Sequence, residues 1–343
     1  MKLSELGEFA FIDRIAPRRL AGDPGRAVQA IGDDAAVVRT GDGLQLVTTD
    51  LLVEGVHFLL DRTAPRRLGR KALAVNLSDI AAMGGTPHEV YVALAAPGDT
   101  DVELLDEIYR GMEELGGEHR VSILGGDTSS SPGPLFLCLT VVGSVPEGQL
   151  LLRSAGRPGD LIAVTGTLGD SAAGLRLLLE SLEVPEALAV PLVRAHLDPA
   201  PAVAAGRALA SSGVVHAAID LSDGLVSDLG HVCERSGVGA LVDADRLPIS
   251  DEVRELCRRL DENPLELALY GGEDYRLLVS VSRDAVDRAR RDVEEIGGSL
   301  YVVGELTERG GLRLRHADGR VEPAADGWAH FHQHCGGEER EET

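Results

Sequence analysis

The sequence predicts an α/β fold in two parts, and three observations carry the prediction. At 343 residues the chain has room for two domains of roughly 150 residues, each large enough to bury its own core. Hydrophobic residues make up 44% of it but aromatic ones only 3%, so the cores must be built from Leu, Val, Ile and Ala, which suits helices packed on sheets. Short apolar runs also alternate with stretches of helical period along most of the length.

The formal charge of −23 argues against a nucleic-acid partner, which calls for a basic stripe; an anionic ligand would need metal ions as mediators. Lys2 and Lys71 are the only lysines, which reads as a genomic preference for arginine. Cys138, Cys233, Cys257 and Cys335 are scattered without zinc or disulfide spacing, so the cytoplasm is the expected compartment. No leader opens the chain, and the longest apolar run, near Leu135–Val142, is too short to span a bilayer, so no membrane partner is expected.

In order, residues 3–20 have the apolar spacing of a helix. Asp33 and Asp34 form a turn into a strand at Val37–Arg39, and a glycine hairpin at residues 41–43 leads to the strand marked by Leu44, Leu46 and Val47, which is expected to end at Thr48, Thr49 and Asp50, with His57 seven residues on. Arg66–Met83 reads as a buried helix. Asp79 within it is either a paired or cation-bound carboxylate, or the first turn of a new helix capped by Ser78. Val90–Ala95 is a strand, Asp101–Gly116 a helix, and Val121–Leu124 a strand running into a loop of Gly125, Gly126 and Asp127, where glycine N–H groups could approach a phosphate. Leu135–Val145 is a strand, and Pro146-Glu147-Gly148 the domain boundary.

The second half begins near Arg153. A strand at Leu161–Thr165 and a helix from Asp170 to about Ser181 follow, then a connector at Arg194–Pro201 and a helix at Ala202–Ser211. The strand Val214–Ile219 delivers Asp220, Ser222 and Asp223 to a helix starting near Val226, a favourable place for a metal-bound phosphate, although an Asp/Ser cap with a glycine turn explains the same residues. Gly271-Gly272-Glu273 precedes a strand at Leu277–Val281, a helix at Ala285–Ile296, and strands at Leu300–Leu306 and Gly311–Arg315. Trp328 is the only tryptophan, and Cys335–Thr343 reads as a disordered acidic tail.

Neither lysine is followed by Ser or Thr, so there is no Walker-A loop, and neither a G-x-G-x-x-G fingerprint nor a protein-kinase H-R-D loop is present. Taken together, GEF, IGDDAA, TTDLLVEGVHF, KALAVNLSDIAAMGG, ILGGDT, RSAGRPGD, VTGTLGDSAAG, IDLSDGLVSDLGH, GGEDY and GWAHF, in that order from Gly7 to Phe331, resemble the thiamine-monophosphate kinase family, within the aminoimidazole-ribonucleotide-synthetase-like superfamily.

The resemblance implies ATP-dependent phosphorylation of thiamine monophosphate to thiamine diphosphate. It also implies an N-terminal ATP- and Mg²⁺-binding domain at 1–147 whose mixed sheet pairs across a homodimer, and a C-terminal α/β domain at 148–334. It makes Asp34, Thr48, Thr49, Asp50, Asp79, Asp127, Asp220 and Asp223 the expected Mg²⁺ ligands, with Asp50, Asp127 and Asp223 expected to be catalytic. Tyr109, Gly126, Asp127, Arg153 and Ser222 are the expected ATP contacts, and His57, Glu273 and Trp328 the thiamine-monophosphate contacts.

The acceptor of such a reaction is already an anionic phosphate, so it needs no general base. The difficulty is repulsion, about 4 kcal/mol for unit charges ~4 Å apart at an effective dielectric near 20. Clustered aspartates make sense there only with Mg²⁺ bound between protein and phosphates, and the expected course is direct in-line transfer. The alternatives are another ATP-dependent enzyme of the superfamily, or a non-catalytic homologue; a selenophosphate synthetase would need a Cys or selenocysteine near its N-terminus, where this chain has none before Cys138.

Overall fold

The computed structural model describes residues 2–16, 25–41, 43–308 and 310–325. The first half comprises helices α1 (Leu3–Leu6) and α2 (Glu8–Ile15), strands β1 (Ala27–Gln29), β2 (Ala36–Thr40) and β3 (Gly43–Val53), helix α3 (Pro65–Ala82), strand β4 (Thr86–Ala96), helix α4 (Val102–His119), and strands β5 (Ser122–Ser130) and β6 (Phe136–Val145). The second comprises β7 (Leu161–Val164), helices α5 (Asp170–Glu180), α6 (Glu186–Leu197) and α7 (Val203–Ser212), β8 (Val215–Asp220), α8 (Leu225–Ser236), β9 (Gly239–Asp243), α9 (Asp251–Leu260), α10 (Pro264–Tyr270), β10 (Leu277–Val281), α11 (Val286–Glu294), β11 (Tyr301–Thr307), β12 (Leu312–Arg315) and β13 (Val321–Pro323).

Among the described residues the first sheet has the order β1-β2-β3-β6-β4-β5. Its neighbours are antiparallel except β4 and β5, which run parallel with α4 as their crossover. The second sheet has the order β13-β12-β9-β11-β7-β10-β8, antiparallel but for β9 with β12. Both are mixed sheets with helices, the α/β class that the composition suggested.

Period-2 alternation orients the first sheet. Leu44, Leu46, Thr48 and Leu52 are buried on one side of β3, while Thr49 and Leu51 are exposed on the other. On β4, Val90, Val92 and Leu94 are buried and Tyr91 and Ala93 exposed. The buried side is covered by α3, whose Ala- and Leu-rich sequence and Pro65 at the first turn favour helix. A helix that is apolar all round must be covered all round. It packs on α4, β3, β4 and β6 of the first half and on α6, α7 and β8 of the second. At the crossing with α4 the backbones approach so closely that a Cβ on Gly69 would stand 1.8 Å from the Ile108 carbonyl oxygen, and one on Gly111 1.9 Å from that of Arg66. One hydrophobic core therefore joins Leu73, Leu77 and Val141 to Leu277, Val279 and Val281, and a second lies among α5, α8, α9 and the other side of the second sheet, where Ile162, Val164, Ile219 and Leu278 point.

Several sequence expectations need correction. The helix expected over residues 3–20 is divided at Gly7, and its end lies outside the described residues. Strand β3 does not end at Thr48–Asp50 but continues to Val53, because β6 offers it partners along its full length, from Leu44 opposite Val145 to Val53 opposite Phe136. The glycine-rich stretch after Leu124 is not a loop: β5 continues through Gly125, Gly126 and Asp127 to Ser130, paired with β4. Helix α3 runs unbroken past Ser78, which removes the alternative of a second helix starting there. The connector expected from Arg194 is shortened by α6, which reaches Leu197 with Pro191 inside it.

Candidate active site

Four elements bring oxygen ligands to one place. The turn before β2 supplies Asp33 and Asp34, the buried side of β3 supplies Thr48, α3 supplies Asp79, and the end of β8 supplies Asp220. Carboxylate oxygens of Asp34, Asp79 and Asp220 lie within 4.8 Å of one another. The Thr48 hydroxyl donates to Asp79 Oδ2 and approaches the Asp34 carbonyl oxygen at 3.3 Å. Ser78, one residue from Asp79, donates to Asp220 Oδ2 at 2.7 Å. Arg153, in a one-turn 3₁₀ helix before β7, places its guanidinium 2.5 Å from Asp34 Oδ1 and donates its backbone N–H to Asp33 Oδ2 at 3.2 Å.

One guanidinium does not balance this many carboxylates. Burial, reinforced by Asp50, Asp220 and Asp34, pushes the Asp79 carboxyl well above the ordinary range, and burial and Asp34 do the same to Asp220. Asp33 is pushed up to about 7 by burial and then by Asp34. Asp50 is pushed up to about 6 by burial, against a hydrogen bond to Asp79 and with a further push from Asp34. Asp34 Oδ2 is buried without a hydrogen-bond partner. Two unit negative charges about 5 Å apart repel by about 3 kcal/mol at an effective dielectric near 20. An all-oxygen set with one acceptor unsatisfied fits a hard divalent cation such as Mg²⁺.

The segment Asp220–Gly224 is held from behind. Asp228, buried in the first turn of α8, accepts from the backbone N–H groups of Asp223 and Gly224, both at 3.1 Å. The Glu273 N–H donates to the Ser222 carbonyl oxygen at 2.7 Å, and the Tyr275 N–H to that of Leu221 at 2.8 Å. Ser222 and Asp223 are thereby presented just after Asp220 at the N-terminus of α8, where the helix dipole favours phosphate. Glu273 itself pairs with Lys71 of α3 at 3.0 Å and with His196 of α6 at 3.1 Å.

The structure thus gathers Asp34, Thr48, Asp50, Asp79, Arg153 and Asp220, with Ser222, Asp223 and Glu273 joined to them through backbone contacts. The remaining candidates stand differently. Thr49 faces the opposite side of the sheet, its hydroxyl 2.9 Å from that of Thr140. Asp127 lies on the outer strand β5 in register with Ala93, Cys138 and Leu51. It therefore shares the exposed face with Leu51, three strands or about 14 Å from β3. Gly126 is its neighbour on that exposed strand. Tyr109 is half-buried on α4 against the first core. His57 Nδ1 accepts from the Val53 N–H at 3.0 Å in the turn that follows β3. Trp328 lies outside the described residues, as does the acidic tail. Lys71, Ser78, His196 and Asp228 were not foreseen as parts of the site. Lys71 alone carried a compositional signal, as one of two lysines in a chain that otherwise uses arginine.

Known proteins share this architecture. Residues 32–145 match the N-terminal domain of AIR synthase related proteins, and residues 157–317 the C-terminal domain. The class is therefore that of two-domain AIR-synthase-related proteins. Thiamine-monophosphate kinase of Salmonella typhimurium is 42% identical over 311 residues, covering 88% of this chain and 90% of the relative; that of Bacillus subtilis is 38% identical over 311 residues, covering 89% and 92%. A solved structure of AaThiL complexed with AMPPCP and TMP superposes with a TM-score of 0.84 at 35% identity, covering 96% of this chain and 99% of that one. The chain belongs to the thiamine-monophosphate kinase family.

Proposed function

We propose that the protein transfers the γ-phosphoryl group of ATP to thiamine monophosphate, forming thiamine diphosphate. The observation that carries this reading is the convergence of Asp34, Asp79 and Asp220, with Asp34 Oδ2 unsatisfied, in a chain whose relatives are thiamine-monophosphate kinases, one of them solved with an ATP analogue and TMP.

Asp34, Asp50, Asp79 and Asp220 would hold Mg²⁺, with Asp223 at the phosphate-facing end. When bound, the metal neutralises phosphate charge and aligns the two substrates. Thr48 keeps Asp79 in place, and Arg153 holds Asp34 while contributing a fixed positive charge towards ATP. Ser222 meets phosphate at the start of α8. Glu273, His57 and Trp328 receive thiamine monophosphate. The transfer is direct, without a phosphoenzyme, because an anionic phosphate acceptor is itself the nucleophile. Protein labelled after incubation with γ-labelled ATP would overturn that point.

No helix among the described residues is long and apolar enough to cross a membrane, and we place the enzyme in the cytoplasm. A homodimer formed through the exposed face of the first sheet, where Leu51, Tyr91 and Leu124 lie open, is the arrangement that gives Asp127 and Thr49 a part, since within one chain they face away from Asp50, whereas Gly126 is in register with Val92, Leu139 and Asp50. Tyr109 remains a proposed ATP contact on α4. Phosphorus NMR of the protein with ATP, Mg²⁺ and thiamine monophosphate tests the whole reading: diphosphate resonances of the thiamine product, absent without Mg²⁺, are expected, and intact ATP in a folded sample would refute it.

A further inference from the structure

Lys71 is 1% exposed, one of the largest fully buried side chains in the molecule. A buried ammonium persists only where a specific anion compensates it. Its Nζ lies 3.0 Å from each carboxylate oxygen of Glu273, 202 residues away in sequence. His196 Nδ1 approaches the same carboxylate at 3.1 Å, with the Ser171 hydroxyl also 3.1 Å from that nitrogen. Burial and then the Lys71 charge push the His196 ring down to about 4, so the imidazole is neutral near pH 7 and stands beside Glu273 without adding charge, its Nδ1 hydrogen-bonded with the Ser171 hydroxyl. Glu273 keeps 26% of its side chain exposed, and its backbone is constrained at φ +64° by the 2.7 Å bond to Ser222. One carboxylate is thus tied to α3 and α6 through its side chain and to the acidic segment after β8 through its main chain.

We infer that Lys71 is a positioning residue for thiamine monophosphate: it neutralises Glu273 and, with His196, aims that carboxylate as a fixed acceptor for an N–H donor of the substrate, the amino group of its pyrimidine. This deepens the proposed reaction and rests on it. An unpaired glutamate tied through its backbone to the segment that follows Asp220 would add to the negative field that both phosphate substrates must enter. Paired with Lys71 it offers acceptor lone pairs without net charge. Lys71 is the one lysine or arginine among the described residues that is buried, and its compact ammonium acts as a point charge towards both oxygens of Glu273.

The test compares the intact wild-type protein with Lys71→Met, Glu273→Gln and the double variant, measuring the dissociation constant of thiamine monophosphate by calorimetry and KM for both substrates. Lys71→Met is expected to weaken thiamine-monophosphate binding tenfold or more while KM for ATP stays within threefold. Glu273→Gln should match it, and the double variant should be no worse than the weaker single one. If Lys71→Met alone does not fold, the double variant, which leaves no uncompensated buried charge, should fold and bind as Glu273→Gln does. Unchanged thiamine-monophosphate affinity in Lys71→Met, equal losses for both substrates, or multiplying losses in the double variant would each overturn the inference. Because calorimetry does not require turnover, wild-type protein that binds thiamine monophosphate without forming product would refute the kinase reading while the affinity comparison still decides the role of Lys71.

Discussion

The Ser78 hydroxyl donates to Asp220 Oδ2 at 2.7 Å, so a helix from the first half of the chain holds a carboxylate carried by the second. Both groups are buried. Ser78→Ala leaves Asp220 without that donor, and removing one partner of a buried pair costs about 1–3 kcal/mol. Urea unfolding in metal-free buffer should show a loss in that range, and the Mg²⁺ concentration for half-maximal activity should rise. Unchanged stability and Mg²⁺ dependence would mean that the bond holds nothing in place.

Thr48 and Thr49 separate two sides of one strand. Thr48→Val removes the hydroxyl that donates to Asp79 and should lower kcat/KM at least a hundredfold with the fold intact. Thr49→Val removes only the contact with Thr140 and should change it less than threefold. Steady-state kinetics on the two variants decide the matter, and equal losses would contradict the orientation of β3.

Asp79→Asn replaces a carboxyl opposed by burial and by Asp50, Asp220 and Asp34 with a neutral isostere. In metal-free buffer at pH 8 the variant should be at least as stable as the parent. The parent should gain about 1–3 kcal/mol from Mg²⁺ at 10- to 100-fold over its dissociation constant, and the variant should lose most of this gain together with activity. Melting curves with EDTA and with Mg²⁺ measure both effects; a parent indifferent to Mg²⁺ would remove the metal from this site.

Asp274 is half-buried away from the acidic cluster, accepting from the backbone N–H groups of Gly169 at 2.8 Å and Ser171 at 3.4 Å. Burial pushes its carboxyl up from 3.8 to about 7. A folded-state value above the unfolded one means that the native protein binds the extra proton between about pH 4 and 7. This contribution to stability is fully present below pH 4 and is lost as pH rises through 7, with a slope of no more than about 1.4 kcal/mol per pH unit. Asp274→Asn should remove that part of the slope, measured as unfolding free energy at pH 5, 6, 7 and 8. Parallel curves for the two proteins would show that Asp274 does not titrate in this window.

The residues that converge were legible where the signal is local. Asp34 at a turn, Asp79 in an apolar helix and Asp220 after an apolar strand each stand out against their neighbours. What sequence could not show is which way a strand residue points. Thr49 stands between Thr48 and Asp50, which face inwards, and its outward orientation, like that of Asp127, follows from the register of β3, β6, β4 and β5. The Lys71–Glu273 pair spans 202 residues, so no window of periodicity could reveal it. The last turn of α6, where a connector is expected from Arg194, is helical because packing against α5 and α9 offsets the cost of Pro191 inside the helix.

Beyond its first turn helix α3 has no solvent face of its own, and the core it occupies is completed by Leu277, Val279 and Val281 of β10. During synthesis the chain must therefore carry a finished but half-clothed helix until residue 281 has left the ribosome. The first half, although it contains a whole sheet, is then a dependant of sequence not yet made, and a nascent or truncated chain would offer Leu73, Leu77 and their neighbours to chaperones and proteases.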